Sequence, residues 1–271
     1  MTMANTKRFL VEVGMKNLPF PMRVASRVSP GGQSTIGSIS VTARIAHEFE
    51  ARWIDKFIQI LHQHRNVIGT KTVKANIVDY MKEFNDAPIV INFEYPFFVE
   101  KLTPSSKEKC LVRYQCVYSV KASSVQRAKA IFKIEVPIVT TYPQSSAEPT
   151  DRPFGQLSVV TVEVESNEEI FPEDIVDIVD NHALAPVYSY LTAADQDFVI
   201  QKVRSSIKSS VVTVDEIKEE LAHNRNISWY SVHCANFGML HSYNTFIATE
   251  KSSWVPFSGY EDELDRESGM L

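Results

Sequence analysis

A histidine near the end of the chain has the chemistry for proton transfer at neutral pH. His241 lies in a predicted strand, where Met239, Tyr243 and Ile247 share its face. An imidazole with an ordinary pKa of about 6.5 can take up and release protons under physiological conditions. His241 is therefore the first catalytic candidate, and a hydrogen-bonded structural histidine is the alternative.

The other residue types that bind metals are not grouped in a useful way. His62 and His64 stand two positions apart on a predicted helix, so they lie on different faces. The cysteines are too few and too scattered for a disulfide framework, and we expect them to be buried reduced thiols: Cys110, Cys116 and Cys234. Spacing alone predicts no metal site.

The elements that position these residues follow the same order twice. In the first half, an alternating strand over 39–45 precedes two helices, near residues 53–61 and 73–84, and three strands follow. In the second half, a strand over 157–164 precedes a helix that Pro172 opens. A capping box from Thr213 to Glu216 predicts another helix, and two strands follow, over 227–234 and 239–248.

This order predicts an α+β protein with antiparallel sheets and helices on one face. A loop rich in proline, serine and threonine over 141–155 is the best boundary. We therefore expect a first unit over 1–145, a second unit over 156–250 and an acidic tail over 251–271. Because such sheets have exposed edges unless they close into a barrel, we expect a homo-oligomer.

Composition narrows the classes of partner. The net charge is -5, which argues against a general nucleic-acid binder. No apolar run approaches the length of about 20 residues that a bilayer requires, and no signal peptide is evident. We expect a cytoplasmic protein that acts on a small molecule, without a nucleic-acid or membrane partner.

Several segments together resemble GTP cyclohydrolase type IB, a metal-dependent family that acts on GTP. VGMKNLPFPMRV over 13–24 is similar to that family's opening V-G-[IV]-x-x-[IL]-x-[YF]-P-[LI]-x-[VI] segment. NFGMLH over 236–241 is similar to its N-F-E-S-I-H. Further matches are HQHR over 62–65, YPFFVEK over 95–101 and APVY over 185–188. The resemblance implies two tunnelling-fold (T-fold) units per chain, barrels that close on oligomerisation into a tetramer, and sites between subunits.

The family's metal ligands are replaced in this chain. The resemblance aligns its metal cysteine with Tyr142, its ligand histidine with Phe154 and its metal-site glutamate with Gln196. Of its I-H-x-H pair, His241 remains and Tyr243 replaces the second histidine. Zinc needs three or four thiolate, imidazole or carboxylate donors, so we expect no metal and no other cofactor.

Each replacement leaves a functional and a structural interpretation open. Tyr142 is a general acid or hydrogen-bond donor, or it fills the space of the lost metal. Phe154 stacks against a planar ligand, or it belongs to the core. Gln196, beside Asp195, recognises a ring edge or lies in an exposed turn. Glu100 lies on the pocket rim or in a strand-end ion pair. The family's purine-binding glutamate falls on Val211.

The sequence therefore predicts a divergent, metal-independent enzyme that acts on a small ring-containing metabolite at a subunit interface. His241, Tyr142 and Tyr243 are the catalytic candidates, and Phe154, Gln196, Asp195 and Glu100 are the substrate-binding candidates. Two alternatives are an authentic metal-dependent GTP cyclohydrolase, which makes dihydroneopterin triphosphate, and a non-catalytic ligand-binding or regulatory protein.

Overall fold

The computed structural model describes residues 11–45, 52–83, 87–124, 127–142, 154–238 and 242–251. Long strands and short helices alternate within these ranges. In chain order the elements are β1 (Val11–Val24), β2 (Gln33–Ile45), α1 (Arg52–His64), α2 (Thr70–Glu83), β3 (Ile89–Leu102), β4 (Lys109–Ala122), β5 (Ala128–Thr141), β6 (Gly155–Ser166), α3 (Pro172–His182), β7 (Ala185–Pro186), α4 (Ala193–Ser205), α5 (Ser210–His223), β8 (Ile227–Phe237) and β9 (Thr245–Glu250).

The strands form one antiparallel sheet in the order β1-β2-β3-β4-β5-β6-β8-β9, with the short β7 paired to β5. Side chains alternate along each strand, and every second one is buried against the helices, as in Ile89, Ile91, Phe93, Tyr95 and Phe97 of β3. Buried residues of the helices belong to the same core. The predicted α+β class with helices on one face is confirmed.

The order of elements repeats about the turn between β4 and β5. Residues 11–122 contain two strands, two helices and two strands, and residues 128–250 contain two strands, three helices with β7, and two strands. β5 pairs with β4 over residues 128–135 and with β6 over residues 131–141. A boundary between residues 145 and 156 would assign β5 to the first unit, whereas the repeating order of elements begins the second unit with β5. The predicted division stays a proposal.

Acidic residues of the second half hold the first half along one seam. The carboxylate of Glu169 accepts a hydrogen bond from the backbone N–H of Thr70 (2.6 Å), which begins α2. Glu173 accepts one from the Ser26 hydroxyl (2.5 Å). We define the acidic seam by these two residues and four others: Asp174, Asp177, Asp180 and Asp195.

Three ion pairs extend the seam along α3. The guanidinium of Arg27 bridges Asp174 and Asp177, at 2.6 Å to each carboxylate, in an exposed position. Lys101 and Asp180 form a pair whose side chains are only 10% and 15% exposed. The ammonium group of Lys101 also lies 5.3 Å from the centre of the Tyr114 ring. The seam thus combines exposed and buried charges.

The helix that begins at residue 210 differs from the prediction. Thr213 was predicted to cap it, but Ser209 is the N-cap and accepts a hydrogen bond from the Val212 N–H (3.4 Å). The Thr213 hydroxyl donates to the Ser209 carbonyl (3.1 Å) inside the helix, which is a satisfied arrangement for threonine one turn beyond a cap. The capping-box prediction was therefore wrong by one helical turn.

Candidate active site

Two of the predicted site residues meet where β5 ends and β6 begins. Thr141 and Gly155 are the last paired residues of these strands, and Tyr142 and Phe154 lie just beyond them. The Tyr142 N–H donates to the Phe154 carbonyl (3.0 Å), which continues the pairing by one step. Their rings stack with centroids 5.0 Å apart and planes inclined by 14°. The structure brings together two residues that are separated in sequence by a loop.

A glycine at the end of β8 lies against this stack. A Cβ atom on Gly238 would stand 2.8 Å from Cε2 of the Tyr142 ring, closer than real Cβ contacts allow. Gly238 follows Phe237, which pairs with Leu157 of β6. The ring of Tyr142 therefore occupies space that any larger residue at 238 would need.

A buried network of hydrogen bonds lies beneath the strand ends. The hydroxyls of Thr140 and Ser158 are 2.7 Å apart, and Ser158 donates to Oδ1 of Asn236 (2.8 Å). Nδ2 of Asn236 donates to the Ser210 hydroxyl (3.0 Å) at the start of α5. Because its buried groups satisfy one another, the network fixes β5, β6, β8 and α5 relative to each other. The sequence interpretation missed it, although polar residues at inward-facing strand positions were a visible signal.

The start of α5 is attached directly to the end of β5. Thr141 and Lys208 form two hydrogen bonds. The Thr141 N–H donates to the Lys208 carbonyl (2.8 Å), and the Lys208 N–H donates to the Thr141 hydroxyl (2.7 Å). The ammonium group of Lys208 lies 2.5 Å from Glu216, and this contact holds the pKa of that carboxyl below its ordinary value. Val211, in the first turn, is 56% exposed.

Asp195 has a structural partner for each of its carboxylate oxygens. One oxygen accepts from the backbone N–H groups of Ser105 and Ser106 (2.8 Å each), in the turn between β3 and β4. The other accepts from the hydroxyls of Ser106 (2.7 Å) and Thr192 (2.6 Å) and from the Thr192 N–H (3.0 Å). These hydrogen bonds hold the pKa of Asp195 well below its ordinary value, although burial opposes them.

The substrate-binding role predicted for Asp195 conflicts with this arrangement, since its side chain is fully buried and its acceptor positions are used. It is instead part of the acidic seam and of the capping box of α4, which Thr192 begins. Gln196 lies in the first turn of the same helix and not in an isolated turn. Its side chain is exposed, and Nε2 donates to the Leu191 carbonyl (3.3 Å). Its role in binding stays a prediction.

The remaining candidates have different surroundings. Glu100 pairs with Lys109 of the neighbouring strand (2.8 Å) in an exposed position, while Lys101 turns to Asp180 in the interior. Tyr243 is 60% exposed just before β9. His241 lies outside the described residues. The catalytic roles of Tyr142, Tyr243 and His241 stay predictions.

The described residues of the site do not fit a zinc ion. Phe154 has no donor atom, Tyr142 has a phenol and Gln196 has a neutral amide, whereas zinc requires three or four strong donors. Across the ranges that the structure describes, no three His, Cys, Asp or Glu side chains have the arrangement of a metal site. Those same ranges contain no helix with the length and apolar character needed to cross a bilayer.

Similarity to known proteins agrees with this fold and extends over most of the chain. The structure of uricase from Arthrobacter globiformis matches 94% of this chain and 99% of its own with a TM-score of 0.56 at 7% identity, which confirms the predicted tunnelling fold and shows nothing about activity. GTP cyclohydrolase FolE2 from Geobacter sp. (strain M21) is 30% identical over 241 residues, 89% of each chain. FolE2 from Citrifermentans bemidjiense is 28% identical over 241 residues, again 89% of each chain.

A family model described as type I GTP cyclohydrolase FolE2 matches residues 2–247. The match includes both halves of the sheet, the acidic seam and the strand ends that carry Tyr142, Phe154 and Gly238. The chain therefore belongs to the type I GTP cyclohydrolase FolE2 family.

Proposed function

We propose that this protein is a GTP cyclohydrolase, which uses water to open the guanine ring of GTP at C8. The observation that carries the proposal is the family match over residues 2–247, together with relatives named GTP cyclohydrolase FolE2 at 25–30% identity over nearly nine tenths of the chain. The reaction on GTP is that of the metal-dependent alternative drawn from the sequence, and the relatives support it better than a metal-independent reaction on another metabolite.

The strand ends around Tyr142 and Phe154 are the proposed position of the reacting ring. Tyr142 supplies a hydroxyl that both donates and accepts, and the half-buried position just beyond β5 keeps it near Gly238. His241 follows Gly238 by three residues in sequence and supplies the imidazole suited to proton transfer. We assign these two residues to proton transfer and Gln196 to recognition of a ring edge.

Zinc would supply an activated water if it were bound, but the described residues do not provide its ligands. The proposal therefore assigns no step to a metal. Elemental analysis of the purified protein, without chelator, tests this part separately. Near one equivalent of zinc, manganese or iron per chain would contradict the metal-free assignment while leaving the reaction on GTP intact.

Turnover is tested with GTP alone and with added Zn²⁺ or Mn²⁺, and the ring-opened and cyclised products are identified by mass spectrometry. We expect formation of dihydroneopterin triphosphate, and a loss of about 10²- to 10⁴-fold in kcat for His241→Ala, the range typical of a lost general acid or base. His62→Ala, on the exposed side of α1, is the matched control. The absence of any new product from GTP under all three conditions would reject the proposal.

A second candidate is a metal-independent reaction on another ring-containing metabolite. The stacked Tyr142–Phe154 pair favours it, because two aromatic rings stand at positions where the family resemblance places metal ligands. Saturable binding of such a metabolite with turnover, together with no reaction of GTP, would support it. Saturable binding without turnover would support the non-catalytic alternative.

We also propose a homo-oligomer, most simply a tetramer of closed barrels. Within the described residues, β1 and β9 are the two edges of the sheet, and each has a neighbouring strand on one side. Unpaired backbone groups on long edges favour pairing with another chain. Light scattering that shows only monomers across micromolar concentrations would contradict this proposal.

A further inference from the structure

We infer that the stacked rings of Tyr142 and Phe154 form a platform on which the planar ring of the ligand lies. The inference rests on the proposed function, in which this ring is the purine base of GTP. It adds the side chains that hold the base and the face on which the base lies. Three features of the chain support it: the backbone contacts next to both rings, the glycine beside the Tyr142 ring and the exposure of Phe154.

The backbone holds both rings in place. The hydrogen bond from the Tyr142 N–H to the Phe154 carbonyl joins the residues just beyond the paired strands. Gly155 is packed so closely that a Cβ atom there would lie 2.9 Å from the Val139 side chain and 3.1 Å from Val203 of α4. The backbone next to Phe154 is therefore tightly packed, which limits the freedom that this residue loses when a ligand binds.

The Tyr142 ring is also supported from the side by the end of β8. The closest approach of Gly238 to this ring leaves no room for a side chain at 238. The ring therefore lies close against the end of β8, and the planes of the stack are only 14° apart. A pre-positioned flat surface loses little conformational freedom when a second flat ring binds.

The exposed part of the stack has the chemistry to bind a base. Phe154 is 41% exposed, whereas the aromatic side chains of the core, such as Tyr95 and Phe132, are almost completely buried. Parallel aromatic rings attract in offset stacks, and every nucleobase has a planar π-face that can extend such a stack. We therefore assign the purine base to the exposed side of this pair.

Binding of 7-deaza-GTP tests the platform, because this analogue keeps a planar fused ring but has carbon in place of N7, so it has no imidazole ring to be hydrolysed at C8. Calorimetry gives its affinity, and proton NMR gives the ring-current shift of its base protons. We expect upfield shifts with the unmodified protein. Phe154→Leu should weaken binding about tenfold to a hundredfold and remove the shifts, since stacking on one aromatic side chain contributes an effect of this size.

Phe98→Leu is the matched control, because Phe98 is 42% exposed but lies in β3, which β4 separates from the strand that ends next to Tyr142. It should bind 7-deaza-GTP as the unmodified protein does. Gly238→Ala should weaken binding because the added methyl group displaces the Tyr142 ring. Tyr142→Phe should retain the shifts, because the ring is kept. Melting temperatures of all four variants show whether any loss reflects unfolding.

The outcomes separate the platform from the proposed function. If GTP is converted and Phe154→Leu binds 7-deaza-GTP as well as Phe98→Leu does, the platform is wrong and the function stands. If GTP is neither bound nor converted, the proposed function is wrong, and neopterin replaces 7-deaza-GTP as the planar probe. Neopterin binding that depends on Phe154 then supports the platform, and its failure to bind overturns it.

Discussion

The acidic seam and the candidate active site show two ways in which distant parts of one chain are brought together. Along the seam, carboxylates of the second half meet backbone N–H groups, hydroxyls and cations of the first half at defined distances. At the site, the rings of Tyr142 and Phe154 and the backbone of Gly238 are in van der Waals contact that depends on their shapes. Charged hydrogen bonds specify geometry strongly and are costly to break, whereas an exposed stack is easily altered. The seam should therefore govern folding, and the site should govern binding.

The largest loss of stability should follow from Lys101→Met. The change leaves Asp180 buried without its cation, and Oδ1 of Asp180 already has no hydrogen-bond partner among the described residues. We expect a loss of about 3–5 kcal/mol in the free energy of unfolding, measured by urea denaturation.

The double variant Lys101→Met with Asp180→Leu provides the control for that change. Burial raises the pKa of Asp180 despite the contact with Lys101, so the isolated carboxylate is the main source of the loss. Removing both charges should restore most of the stability. A double variant as unstable as the single one would show that packing of the lysine, and not the unpaired charge, is what matters.

Asp195→Ala should cause the next largest loss, a fall in melting temperature of several degrees. The change removes the acceptor for the N–H groups of Ser105 and Ser106 and the capping box of α4. Asp197→Ala, in an exposed position of the same helix, is the control and should melt as the unmodified protein does. Equal melting temperatures for the two variants would contradict the role of Asp195 in the seam.

The same residue predicts the acid sensitivity of the fold. Hydrogen bonds hold the pKa of Asp195 below its unfolded value of about 3.9. Its contribution to stability is therefore complete above about pH 4 and is lost as the pH falls toward the lower folded value. Acid unfolding followed by circular dichroism should show a smaller loss between about pH 4 and pH 2 for Asp195→Ala than for the unmodified chain.

Gly238→Ala should have a smaller effect on folding, about 1–3 kcal/mol, because the Tyr142 ring must move to admit a methyl group. Adding Tyr142→Ala should remove this cost by opening the space. If Gly238→Ala costs as much free energy of unfolding in the Tyr142→Ala background as in the unmodified chain, the contact between residues 142 and 238 is not the cause.

The smallest effect on stability should come from Val211→Glu, within about 0.5 kcal/mol, since Val211 is exposed in the first turn of α5, where a negative charge is tolerated. Because the family resemblance places a purine-binding glutamate at this position, the change should tighten GTP binding. Val212→Glu, one residue along the same turn and also exposed, is the control. Equal affinities in the two variants would indicate that the base does not reach Val211.

Much of the fold follows from patterns that lie within single elements. Alternation in β3 and helical spacing in α1 are local, and both elements were predicted. The α4 helix was missed, although Thr192 and Asp195 have the spacing of a capping box. The seam could not be predicted, because Asp195 contacts residues about 90 positions earlier and no local pattern marks such a partner.

The site was predictable only in part. Family motifs selected Tyr142 and Phe154, and the structure places them in contact. The same motifs selected Asp195, which is buried although its neighbour Gln196 is exposed. Successive residues of a helix point in different directions, so a motif match at one position does not predict the surroundings of the next. The contribution of Gly238 depends on the distance between two strand ends and cannot be read from either segment alone.

The unbroken sheet limits how this protein can admit a ligand. Paired backbone runs from β4 through β5 into β6, so the two halves share a continuous ladder of hydrogen bonds and are not joined by a hinge. Rotation of one half against the other would break this ladder and the acidic seam together. We therefore expect a ligand to enter and leave at the strand ends, beside the Tyr142–Phe154 stack, without closure of one half over the other.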